Sequence, residues 1–398
     1  MVIRASRPPP RPDASRRLRV ELPTRGVAQD AAVALALSAP LPRGSDTGVS
    51  THRRNQLSAD SRMNAPAPQR AAVVVNPVKG NPERLRTLVD AEAARSGWAE
   101  TGWFQTAADD DGRAAARAAV DAAPDVVLVA GGDGTLRVVA EELRGTGIPV
   151  SLVPSGTGNL FARNIGLHRN DMAGAVRAAF TGSDRPIDVG IAELTDADGA
   201  TSTHAFLVMA GIGLDASMAA DTNAWVKKRF GWVAYSDPIA RSIVGNRQIP
   251  VHYSLDDGPT RTMHAHTVIV GNCGSLTAGV LLLPRAEPDD GILDAVAFRP
   301  EGWLGWTKIG YTLSLNRFFS STRLGRVIAR VLPTSRALPT TRARTLHLEL
   351  ETPERIQLDG DPFGTVRAAT LTTHHHGLLL RSAQSGSGGA ASGTGGTA

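Results

Sequence analysis

From residue 71 to about residue 180, short apolar runs alternate with stretches of helical spacing. Runs 71–76, 98–106, 125–130 and 148–153 read as strands. Residues 81–96 (apolar at Leu85, Leu88 and Val89), the Ala-rich 112–122, then 136–143, 160–165 and 171–180 read as helices. After Asp125 the run 125–130 is wholly apolar, as expected of a strand buried on both faces. Strand–helix alternation predicts a doubly wound parallel sheet with helices on both faces. Around Arg185-Pro186-Ile187-Asp188 the rhythm changes. Runs 189–194, 205–209, 251–255, 264–270, 293–298, 345–351 and 355–358 are mostly short strands with turn residues between them. They predict an antiparallel β-sandwich interrupted by helical stretches at 216–225, 232–244 and 302–315. The expected division is an arm at 1–70, a nucleotide-binding α/β domain at 71–186, a β-sandwich domain at 187–382 and a Gly/Ser tail at 383–398.

Two strand ends carry glycine turns. The run 125–130 leads into Gly131-Gly132-Asp133-Gly134-Thr135, and 148–153 leads into Pro154-Ser155-Gly156-Thr157-Gly158-Asn159. Strand, glycine turn and helix start together point free backbone N–H groups at an anion. Glycines let the backbone approach phosphate oxygens without Cβ interference. A single such turn is often only a tight connection, whereas two on adjacent strand ends are far more specific. Asp133 repels phosphate, so it needs Mg²⁺, a sugar hydroxyl or a proton to manage. No GxxxxGK[ST] is present, which excludes a P-loop enzyme.

GGDGT followed by PSGTGN resembles the diacylglycerol kinase catalytic domain family, which includes sphingosine-kinase-like and bacterial lipid kinases. Asn76-Pro77-Val78-Lys79-Gly80 resembles that family's opening NPxxG turn, and Leu358-Asp359-Gly360-Asp361 its LDGE turn. The resemblance implies an ATP-dependent kinase that phosphorylates a lipid hydroxyl, such as that of diacylglycerol. Phosphoryl transfer needs a held triphosphate, Mg²⁺ to offset charge and a positioned hydroxyl. For ATP the candidates are Asn76, Pro77 and Gly80, then Gly131, Gly132, Asp133, Gly134 and Thr135, then Gly156, Thr157 and Asn159. The resemblance adds Thr106. For the proton acceptor it points to Asp361, where the family has Glu, or to Asp133, the aspartate credited in sphingosine-kinase-like members. Asp359-Gly360 is also a strong hairpin dipeptide in its own right. The segment 283–294 resembles the family's P-x-A-x-x-x-D-G-x-L. It implies a structural Mg²⁺ on Asp290, Glu287 and Ile292. Gly211-Ile212-Gly213-Leu214-Asp215 resembles a further signature near the acceptor. Two departures bear on the headgroup: Arg137-Val138 stands where many members have Asn-Glu, and Leu160 where many have Asp.

Two other readings stay open. NAD kinase shares GGDGT and the two-domain plan, but expects GxNxGxLGF where this chain has PSGTGN. A pseudokinase would account for Asp361 in place of Glu and for Leu160.

Charge sharpens the choice of partner. Residues 1–62 hold 11 Arg and 5 acidic residues, a net of +6 against +5 for the whole chain, leaving −1 for the remainder. A near-neutral body argues against nucleic acid. The arm has no apolar core of a secretory signal and reads as a disordered, dispensable extension before Met63. The one cysteine, Cys273, suits a reducing cytoplasm. No apolar run is long enough to span a bilayer. A lipid acceptor therefore implies peripheral contact at the inner face of the membrane. The basic–aromatic 224–232 (Trp225, Lys227, Lys228, Arg229, Phe230, Trp232) and 302–319 are candidate surfaces, each with a core-packing alternative. An exposed sheet edge leaves a homodimer open. Alternation along a strand predicts that His374, His375 and His376 do not share one metal ion.

Overall fold

The computed structural model describes residues 67–156, 158–167, 171–213, 248–276, 281–299 and 339–383. Strands β1 (Ala71–Val75), β2 (Gly102–Gln105), β3 (Val126–Gly131) and β4 (Val150–Pro154) are parallel and lie in the order β2-β1-β3-β4. Helices α1 (Pro82–Arg95), α2 (Arg113–Asp121), α3 (Asp133–Leu143), α4 (Leu160–Asn164) and α5 (Met172–Thr181) connect and cover them. Alternation along β1 and β3 sorts the core. Val74, Val127 and Val129 pack with Ala116, Leu136 and Val139, while Val73, Val75 and Leu128 pack with Leu85, Val89 and Phe180. Both faces of the sheet are therefore apolar and covered. Two helices start at side-chain caps: Asn81 caps α1 through the Arg84 N–H, with Pro82 beside it, and Asp171 caps α5 through Gly174.

The antiparallel region holds β5 (Ser183–Asp196), β6 (Thr201–Phe206), β7 (Met209–Ile212), β8 (Ile249–Leu255), β9 (Arg261–Ala265), β10 (Thr267–Gly271), β11 (Leu293–Phe298), β12 (Thr340–Ala343), β13 (Thr345–Leu358) and β14 (Asp361–Ser382). Its core includes Val251, Val268, Leu293, Leu348, Ile356 and Leu371. The fold is thus a parallel α/β core followed by an antiparallel β-sandwich.

β14 is the link between them. It pairs with β13, then with β5, and near its end Leu380 lies beside Val150 of β4. The hydrogen-bonded path consequently runs without a gap from β12 to β2.

Several elements differ from expectation. β14 is absent from the strands predicted above, because its polar and small residues mask the alternation and two register shifts, at 366/368 and 374/378, break it. The predicted strand 205–209 is interrupted after Phe206, and 264–270 divides into β9 and β10. The predicted strands 345–351 and 355–358 form one irregular strand, β13. Helix α3 begins at Asp133, so Asp133, Gly134 and Thr135 form its first turn instead of a loop. The helical stretches 216–225, 232–244 and 302–315, the basic–aromatic surfaces 224–232 and 302–319, and Asp215 lie outside the described residues.

Candidate active site

The turns after β1, β3 and β4 meet at the carboxyl ends of those strands. The Asn76 N–H donates to the Ala130 carbonyl at 3.0 Å, and the Ser155 N–H to Gly131 at 3.3 Å. Thr106, just beyond β2, donates its N–H to Val75 at 3.0 Å and packs against Gly112. The first turn is held by Asn76, whose side-chain oxygen accepts from the Val78 N–H at 3.2 Å and whose carbonyl accepts from Lys79 at 3.1 Å. Pro77 is exposed between them. Gly80 closes it at φ 74, and a Cβ there would stand 3.0 Å from that of Ser155.

Main chain approaches main chain across the cleft. A Cβ on Gly156 would lie 2.7 Å from the Gly132 Cα, and one on Gly132 would lie 3.1 Å from the Lys79 ammonium. Thr135 fills the space above Gly131, and buried Asn159 ties its amide to the Gly156 carbonyl at 2.7 Å. Thr157 lies outside the described residues. The arrangement is a glycine-lined cradle with one lysine at its mouth and the N-terminus of α3 below it, fitted to an anion. Lys79 lies inside the NPxxG turn but is not among the individual candidates named from the sequence. Its lysine character among so many arginines was the available hint.

Two carboxylates flank the first turn of α3. Asp133 Oδ1 accepts the Phe161 N–H at 3.2 Å, so it tethers α4 to α3, and its Oδ2 faces Gly158. From the sandwich side, Asp361 Oδ2 lies 2.7 Å from where a Gly134 Cβ would be. Arg137 Nη2 donates to the same oxygen at 3.3 Å, and the Asp361 side chain is half-exposed. The structure thus brings the two candidate bases to adjacent residues of one helix end.

The platform under Asp361 is Asp359. This turn has Asp359 at φ 52 and Gly360 at φ 95, with Leu358 opposite Asp361. The Asp359 carboxylate is buried and accepts the N–H groups of Leu207 and Val208, both at 2.8 Å, and of Met209 at 3.0 Å. Those bonds explain the break between β6 and β7: Leu207 and Val208 donate to a side chain instead of a neighbouring strand. Burial pushes the Asp359 carboxyl up to about 6 against the opposing pull of the three N–H donors and of Arg137. Cys273 lies below, donating to the Leu207 carbonyl at 3.4 Å, with its thiol pushed up by burial.

The expected structural Mg²⁺ ligands fall elsewhere, in the turn before β11. There Asp290 Oδ1 accepts the Ile292 N–H at 3.1 Å, and its Oδ2 is paired with Arg342. Arg342 also donates Nε to Asp294 Oδ2 at 3.1 Å. Glu287 is close enough to act on Asp290 electrostatically. Arg342 stands directly across from Asp294 in the β11–β12 ladder, so register fixes this pair. Both oxygens of Asp290 are engaged, and the set as arranged does not fit a divalent ion.

Strand alternation does not hold at the histidines either. A register shift between His374 and Leu378, with His376 at φ 55, turns His375 and His376 to the same side, their rings stacked at 3.6 Å. His375 Nδ1 lies 2.8 Å from buried Asp188 Oδ1. The His376 N–H donates to that oxygen at 2.8 Å and the Gly291 N–H to the other at 2.6 Å. Asp188, His375 and His376 offer ligand atoms within 4.8 Å of one another, but both Asp188 oxygens already have donors. The cluster works as a tie between β5, β14 and the turn before β11.

Residues 70–192 match the model of the diacylglycerol kinase catalytic domain, and residues 207–371 match the YegS C-terminal NAD kinase beta sandwich-like domain. A Stenotrophomonas maltophilia protein described as "Probable lipid kinase YegS-like" is 30% identical over 264 residues, covering 64% of this chain and 78% of its own. The chain belongs to the diacylglycerol kinase family. A diacylglycerol kinase of Mycobacterium tuberculosis is 28% identical over 243 residues, covering 60% of this chain and 71% of its own. A crystal structure of a diacylglycerol kinase from Bacillus anthracis superposes with a TM-score of 0.57 at 18% identity, covering 80% of this chain and 99% of that one, and shows the shared fold. Membership in this lipid kinase family makes the chain a phosphotransferase. Among the described residues no helix is long and apolar enough to cross a membrane.

Proposed function

We propose that this diacylglycerol kinase family member transfers the γ-phosphoryl group of ATP to the hydroxyl of diacylglycerol or a similar neutral lipid alcohol. One observation carries the reading: the Asp361 carboxylate reaches across from the sandwich to Gly134, in the glycine turn built for phosphate. The backbone N–H groups of 131–135, the 154–159 turn and Lys79 would hold the triphosphate. The lipid hydroxyl attacks the γ-phosphorus in line, its proton passes to Asp361 and ADP leaves. Each carboxylate keeps one oxygen without a hydrogen bond among the described residues, Oδ1 of Asp361 and Oδ2 of Asp133, and Asp361 is favoured as proton acceptor because it reaches the glycine turn from the sandwich side. Mg²⁺, when bound, supplies charge neutralisation on the phosphates, and Asp133 Oδ2 is the carboxylate oxygen that would hold it. The acceptor resides in a bilayer, so the working enzyme sits peripherally on the cytoplasmic face, with no nucleic acid partner.

The test is incubation of purified protein with γ-labelled ATP and Mg²⁺ in the presence of diacylglycerol vesicles or NAD. Label in the organic extract, lost in Asp361→Asn, is the expected result. Label in NADP instead would replace this reading with the NAD kinase one, and no transfer to either would point to a pseudokinase.

A further inference from the structure

Arg137 lies on α3 one turn beyond Gly134, and its side chain is only 5% exposed. A charge so buried must be paired. Of the acidic side chains nearby, Glu141 is committed to Arg113 at 2.7 Å and to the Ala205 N–H at 3.0 Å. The Asp359 oxygens are filled by three backbone donors. Arg137 therefore turns to Asp361, with Nη2 at 3.3 Å from Oδ2. Its Cζ stands 4.6 Å from the ring centre of Phe363, two residues along β14. That ring also meets His204 of β6 at 4.6 Å. One guanidinium thus grips residues 361 and 363 together, while its buried Nε has no hydrogen-bond partner among the described residues. The single Nη2 donor holds one carboxylate oxygen, and the guanidinium's position over the Phe363 ring restrains the arginine that presents it.

We propose that Arg137 is a positioning residue for Asp361. It pins Oδ2 and so directs Oδ1 into the cleft, where the acceptor hydroxyl arrives. Without this contact a short, half-exposed aspartate would sample several rotamers, and only some would face the γ-phosphate. The catalytic consequence rests on the lipid kinase reading; the tether itself does not.

The test combines hydrogen exchange with kinetics on full-length native protein, Arg137→Ala, Arg137→Lys and Phe363→Leu. In Arg137→Ala, amide exchange at Phe363 and Gly364 should quicken at least tenfold while β1 and β3 stay protected. With diacylglycerol, kcat should fall at least tenfold and KM for ATP should stay within twofold. Millimolar guanidinium should restore a third or more of the lost rate, and Arg137→Lys should keep an intermediate rate. Phe363→Leu, which leaves the charge in place, should shift both readouts in the same direction by less. Unchanged exchange at 363–364, or a kcat within twofold of native, would overturn the proposal. If exchange responds while the native protein phosphorylates no lipid alcohol, the tether stands and the lipid kinase reading fails.

Discussion

Replacing Gly134 by alanine should separate stability from turnover. Gly134 is outside the left-handed region, so alanine fits its backbone. In a helix, alanine is favoured over glycine by up to about 1 kcal/mol, less in a first turn. The added methyl would meet the Asp361 carboxylate, 2.7 Å from Oδ2 and 3.6 Å from Cγ. Ordinary contact distance requires a retreat of about 0.7 Å, and the atom that must move is the end of a side chain, so folding should not suffer. Moving the proposed proton acceptor this far matters much more for chemistry, since a misplacement of about 1 Å can cost roughly a hundredfold in rate. Calorimetry should show Tm unchanged or raised by about 2–4 °C. Initial rates in diacylglycerol micelles should show kcat lowered by about ten- to a hundredfold, with KM for ATP little changed. A native kcat in a folded variant would refute the placement of Asp361 at the reacting atoms. A Tm lowered by more than about 5 °C would refute the packing argument.

Gly156→Ala is the contrasting case, because its methyl would strike the Gly132 Cα at 2.7 Å and backbone cannot step aside; a loss of about 1–3 kcal/mol in urea titrations and a raised KM for ATP are expected. Asp359 gives a pH signature. Its folded carboxyl titrates at about 6 against an ordinary 3.8, so the folded state binds the proton more tightly. Its contribution is complete below about pH 4 and lost as pH rises through about 6, amounting to at most about 3 kcal/mol. Urea midpoints from pH 4 to 7 should show that decline reduced in Asp359→Asn. Arg342→Met leaves Asp290 and Asp294 facing each other without their cation, so the variant should lose about 1–3 kcal/mol and regain Tm with millimolar Mg²⁺. Native Tm should be indifferent to EDTA. Asp133→Ala removes the acceptor of the Phe161 N–H and should cost about 1 kcal/mol by calorimetry, besides its effect on rate.

Much of the parallel α/β half was legible because its determinants are local. Apolar runs at 71–75 and 126–130 between turn residues read as strands covered on both faces, glycines at 132 and 156 mark where backbone meets backbone, and those at 131 and 134 leave room for the Thr135 and Asp361 side chains. Asp361 was legible through its turn. What the sequence did not reveal depends on residues far apart. Arg137 and Asp361 are 224 positions apart, and nothing local says that a helix arginine will face a hairpin aspartate. The Arg342 pairing depends on β11–β12 register, and the histidine cluster depends on a shift in β14 that defeats period-two reasoning. β14 itself was hidden because its stability comes from partners on both sides more than from its own pattern.

That long strand also limits how the enzyme can open. It starts at the turn that carries Asp361 and ends beside Val150, so the two lobes are stitched by one continuous ribbon. A gape wide enough to swallow acyl chains would have to tear ladder bonds or pivot at the irregular stretch 374–378. On the proposed lipid kinase reading, the economical route is for the lipid to stay anchored by its tails while only its polar end threads inward, which would make the bilayer itself one wall of the reaction chamber.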